Sequence, residues 1–127
     1  MLPEQESRDP SEWFRKAKED LARVPRRLQE GDCEDASFHL QQAIEKCLKG
    51  FLIARGWRLR RTHNLSLLLD EAAVFLPTLE KYRSLCQEAS AFYVEERYPL
   101  STQAPSREEL ERFYQQAQQL TDALLIV

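Results

Sequence analysis

His39 and His63 are the only histidines in the sequence. They are the side chains that ordinarily titrate near neutrality, and so the candidate proton carriers. Arg55, Arg58, Arg60 and Arg61 crowd one short stretch, with Trp57 among them. Guanidinium groups pair bidentately with phosphate oxygens and an indole can stack on a base, so this stretch suits a phosphate or RNA contact. A basic run at the end of a helix also complements the negative end of its dipole, and that solvated role is the commoner one. His39, Gln42, Lys46 and Lys49 form a polar strip that reads equally well as a helix flank or as an edge facing a partner subunit. Glu45 and Lys49, four apart, are expected to pair on the surface for about 0.3 kcal/mol.

General motifs add little chemistry. The sequence holds no glycine-rich phosphate loop, no HExxH and no GxSxG. Cys33, Cys47 and Cys86 are odd in number and contain no CxxC pair, so neither a disulfide framework nor a zinc site is indicated, and reduced, mostly buried thiols are expected. No metal and no cofactor is expected. The formal net charge of −3 argues against a nucleic-acid coat over the whole surface but leaves room for a local basic patch. Thirteen arginines against five lysines, with Asn64 the only asparagine, give a composition poor in thermolabile amides, a weak hint of a hot-living source.

Helices must position these residues. Asp9 suits an N-cap, Pro10 the first helical position, and Glu12 a capping-box-like partner. Trp13, Ala17, Leu21, Val24 and Leu28 then make one apolar stripe, with Pro25 expected to bend or end the helix near Val24. Gly31 stops it, and Asp32 caps the next. Ala36, Leu40, Ala43, Ile44, Cys47, Leu48, Phe51 and Leu52 fill a face broad enough for the central helix of a bundle, closed by Gly56. A third helix follows Asn64, with Leu65, Leu68, Leu69, Ala72, Ala73, Phe75 and Leu76 inward. A fourth is expected from Thr78 to Glu96, with Leu79, Tyr82, Leu85, Cys86, Ala89, Phe92 and Tyr93 inward. Ser106 to Glu109 is a capping box for the last helix, whose stripe is Leu110, Phe113, Tyr114, Ala117, Leu120 and Leu124. No strand alternation, internal repeat or low-complexity segment is present. The expected fold is all-α, an antiparallel up-and-down bundle of four to five helices. With 127 residues and 43% apolar content it is expected as a single domain, residues 1–127, of which 1–9 form a polar tail. No apolar run approaches the ~20 residues of a membrane span, and the polar Met1 to Pro10 stretch is no secretory signal, so a cytoplasmic location is expected.

Four ordered blocks resemble the HEPN family (higher eukaryotes and prokaryotes nucleotide-binding). They are Trp13-Phe14-x-x-Ala17-x-x-Asp20-Leu21; Ala36-Ser37-Phe38-His39-Leu40-Gln41-Gln42-Ala43-x-Glu45-Lys46-x-Leu48-Lys49; His63-Asn64-Leu65-x-x-Leu68-Leu69; and Tyr93-x-x-x-Arg97-Tyr98-Pro99. The resemblance spans roughly residues 10 to 125. It implies a HEPN-like helical bundle, usually a homodimer, often encoded beside a minimal nucleotidyltransferase in a two-component or toxin–antitoxin arrangement. It also implies that active members cut RNA without a metal, using an arginine followed after four to six residues by a histidine near the dimer cleft.

The sequence departs from that pattern. Arg97 stands where the family's arginine is expected, but Ser101, Thr102, Gln103 and Ala104 occupy the histidine spacing, and no histidine follows. Arg58 and His63 meet the spacing elsewhere, ahead of the third helix, where His63 is expected to cap or orient that helix. The resemblance therefore implies a non-catalytic nucleotide- or RNA-binding and assembly module, with Arg97, Tyr98, Arg58, Arg60, Arg61 and Lys46 as candidate ligand contacts. Its alternative is a metal-independent ribonuclease in which Arg97 works with His63 or His39. Arg97 could instead be an ion-pair partner of Glu95, Glu96 or Glu45, and Tyr98-Pro99 a plain helix stop.

Overall fold

In a computed structural model, the described residues, 7–93 and 104–126, form five α-helices and two short 3₁₀ segments. Helix α1 covers Pro10–Gln29. Its cap is as the sequence predicts at Asp9, whose Oδ1 accepts from the Ser11 backbone N–H at 3.0 Å. Glu12 completes the motif indirectly. The Asp9 N–H donates to the Ser7 hydroxyl at 3.2 Å, and that hydroxyl donates to Glu12 at 2.6 Å. Pro25 does not end the helix, which runs on to Gln29. Pro25 is exposed, and the apolar stripe of Val24 and Leu28 keeps the last turn docked. Gly31, at φ 76°, then allows the Asp32 N–H to reach the Arg27 carbonyl and its own N–H to reach that of Leu28, which closes the helix.

Helix α2, Cys33–Ile53, starts on the Asp32 carboxylate, which accepts from the Asp35 N–H at 3.0 Å. It packs against α1 most extensively and also against α3 (Leu65–Phe75), α4 (Arg83–Ala89) and α5 (Arg107–Ile126). The eight apolar positions expected along it are all buried. This is the central helix that its periodicity predicts.

Asn64 caps α3 by accepting from the Leu67 N–H at 3.2 Å. Leu65, Leu68, Leu69 and Ala72 face the core, but Phe75, expected inward, is 51% exposed and sits edge-on to Phe51 at the surface. The expected long fourth helix is broken into a 3₁₀ segment Pro77–Tyr82, the short α4, and a 3₁₀ turn Ser90–Phe92. Pro77 opens the first segment at a position where its missing donor costs nothing, and Leu79 and Tyr82, three residues apart, are both buried from it, as three residues per turn allows. The Ser106 capping box forms as expected: Glu109 accepts from the Ser106 N–H at 3.0 Å, and the Ser106 hydroxyl accepts from the Glu109 N–H at 3.1 Å.

The fold is all-α, with no strand among the described residues and no helix long and apolar enough to cross a membrane. Cys47 and Cys86 are buried free thiols, each pushed up to about 12 by burial. Both are therefore thiols rather than thiolates, and poor nucleophiles.

Candidate functional site

The helical register of α2 places Phe38, Gln42, Glu45 and Lys49 on one line, at steps of four, three and four. That line is one wall of a cleft of about 430 Å³. Trp13, Lys16 and their neighbours on α1 also line it, together with Arg61 and His63 from the segment ahead of α3 and with Tyr93. Arg15, Lys16, Lys46, Lys49 and Arg61 contribute positive charge to the lining, and Glu12 and Glu45 negative charge.

Glu45 organises the floor. One carboxylate oxygen accepts from Lys49 Nζ at 2.9 Å; the other accepts from Gln41 Nε2 at 3.0 Å and from His63 Nδ1 at 2.9 Å. The Glu45 and Lys49 side chains are only 5% and 2% exposed, so this is a buried, hydrogen-bonded ion pair and not the surface pair expected from the sequence. Gln41 also donates to the His63 carbonyl oxygen at 3.3 Å and accepts from Gln42 at 2.8 Å, which ties the segment ahead of α3 to α2. The His63 ring lies parallel to Tyr93, with centroids 3.6 Å apart. Because a carboxylate only accepts, His63 donates from Nδ1, and its other nitrogen, Nε2, has no partner among the described residues.

A second network borders the cleft. Lys46 Nζ donates to Asp20 at 2.6 Å, and the other oxygen of Asp20 accepts from His39 Nδ1 at 2.9 Å. His39 Nε2 lies 3.3 Å from Asp35, which in turn holds Arg27 at 2.7 Å. Burial pushes the Asp20 carboxyl up, but the hydrogen bonds and charges of His39 and Lys46 together outweigh it and hold the group below its usual range.

The residues singled out in the sequence divide accordingly. Lys46, Arg61 and His63 come together in the cleft. His39 is engaged by the two aspartates and is not part of the lining. The arginine run does not make one patch. Arg55 lies over the Phe51 ring at 3.7 Å and donates to its carbonyl, Arg60 pairs with Glu71 of α3 at 3.1 Å, and Arg58 is exposed outside the cleft. Trp57 likewise donates to Glu71, at 2.7 Å. The His63 ring does not cap α3, since the Asn64 side chain does so. Arg97 and Tyr98 lie outside the described residues. Sequence reasoning missed the burial of Glu45 and Lys49. The signal was there: Ser37, Gln41, Glu45 and Lys49 recur every four residues, and all four are buried.

Comparison with known proteins follows the same outline. The model of the HEPN domain matches residues 10–127. The crystal structure of TT1696 from Thermus thermophilus superposes with a TM-score of 0.78 at 26% identity, over 91% of this chain and 94% of that one. No curated protein matches the chain.

Proposed function

The chain belongs to the HEPN domain family, and on that premise we propose that it is a nucleotide- or RNA-binding and assembly module whose ligand occupies the cleft between α1 and α2. The observation that carries this reading is the lining: five cationic side chains against two carboxylates, with the rings of Trp13, Phe38 and Tyr93 beside them. Phosphate oxygens are served by the cations and a base by a ring face. The sequence leaves the family's histidine spacing after Arg97 unfilled, which supports binding over cutting. In this reading the protein forms a homodimer and works with a minimal nucleotidyltransferase in a two-component or toxin–antitoxin arrangement.

The test is binding of a labelled single-stranded RNA and of a nucleotide, followed by fluorescence anisotropy in chelator. Lys46→Ala and Arg61→Ala are expected to weaken binding by about tenfold each, the loss of one charge-assisted hydrogen bond. Unchanged affinity in both variants overturns the placement of the ligand in this cleft.

One observation favours a second reading, a metal-independent ribonuclease. His63 is oriented by a buried carboxylate and keeps a nitrogen without a partner among the described residues, which is how a general base is held. RNA cleavage in chelator that disappears in His63→Gln selects this reading; intact RNA beside measurable binding selects the first.

A further inference from the structure

The charges of the cleft are largely cancelled within the protein. Lys46 is matched by Asp20 and Lys49 by Glu45, and Glu19 lies 2.9 Å from Arg15 and 3.8 Å from Lys16. An incoming anion therefore meets paired cations rather than a bare positive surface. His63 differs in kind, because its charge changes with one proton. Glu45 fixes the Nδ1–H, so in the neutral ring Nε2 carries a lone pair, and a proton can enter only there. A lone pair repels a phosphoryl or sulfuryl oxygen, whereas the Nε2–H of the imidazolium donates to it with a full charge.

We propose that His63 is a proton-linked anion contact, so that binding of an anionic group in the cleft is coupled to proton uptake at Nε2. This deepens the reading of the cleft as a phosphate-binding site and rests on it. The other charged and titratable groups sharing the cleft are Glu12, Arg15 and Lys16 from α1, Glu45, Lys46 and Lys49 from α2, Arg61 ahead of α3, and Tyr93. Side chains of those types ordinarily titrate outside the range around neutrality. His39 is held away from the lining by Asp20 and Asp35. Stacking on Tyr93 and the grip of Glu45 keep the His63 ring in place, so the proton changes the charge of the site without any need to move it. The linkage has one sign: an anion that stabilises the imidazolium raises its titration midpoint, and affinity for the anion then falls as pH rises.

The experiment uses two probes of constant charge, sulfate and a dinucleoside monophosphate, with affinity measured calorimetrically between about pH 5.5 and about pH 8.5. The wild type is expected to lose about tenfold in affinity for each probe across that range, which corresponds to an anion-induced shift of about one pH unit. His63→Gln, which can donate but cannot charge, is expected to bind with a flat profile, and His39→Gln to keep the slope. In the wild type, the NMR titration of the His63 ring should move to higher pH on adding sulfate, a measurement that needs no variant to fold. A flat wild-type profile, a slope retained in His63→Gln, or an unmoved ring titration overturns the proton linkage while anion binding still stands. Absence of binding by either probe at every pH overturns the binding reading and the linkage with it.

Discussion

Asp20 shows how much one buried carboxylate can hold. It is 4% exposed and receives Lys46 and His39 from α2, with Arg23 3.5 Å away on its own helix. Asp20→Asn leaves a lysine and an imidazole facing a neutral amide, and is expected to cost about 2 kcal/mol at neutral pH, the scale of a charged hydrogen bond lost in a partly buried place. The pH dependence follows from the direction of its shift. The folded carboxyl lies below the ordinary 3.8, so its contribution is complete above that value and drains away as pH falls through the lower folded one. Urea unfolding of wild type and variant should therefore differ at pH 7 and converge in strong acid. A difference that persists undiminished in acid would show that Asp20 acts through shape rather than charge.

At the scale of elements, α1 and α2 approach each other closely at Gly50. A Cβ added at Gly50 would lie 3.1 Å from the Cβ of Trp13 and 3.3 Å from the Phe14 ring. Gly50→Ala gains about 1 kcal/mol of helix propensity but must push apart two helices at an atom that cannot swing away. The expected net result is a loss of about 1 kcal/mol, read as a lower Tm; a raised Tm would mean that α1 yields freely. The elements were legible where local signals agree with packing: the caps at Asp9, Asp32, Asn64 and Ser106, and the apolar face of α2. They were misread where two signals compete. Pro25 lacks a donor, yet the stripe on either side of it keeps the helix going. The 3₁₀ turn through Leu79 and Tyr82 was hidden inside an apolar pattern that also fits an α-helix. The site was legible in part. Lys46, Arg61 and His63 were visible as residue types, but their convergence depends on contacts between positions far apart in sequence, such as Glu45 with His63, which no local spacing encodes.

For the whole molecule, the family's habit of pairing gives a direct expectation. Light scattering at increasing concentration should report twice the 14.9 kDa of one chain, and a monomer at the highest concentration reached would remove the homodimer from the proposal. Co-purification from the native host tests the other partner, and a nucleotidyltransferase retained with the chain would support the two-component arrangement. Val74 and Phe75 leave apolar surface at the end of α3, 80% and 51% exposed, beside the Arg55 guanidinium.

Position 45 carries two duties. The same carboxylate that neutralises an ammonium deep in the bundle also aims an imidazole at the cleft. Loss of the acid at 45 strands a buried cation and frees the ring at the same stroke. Drift at that position is therefore policed by folding, whatever happens to the ligand.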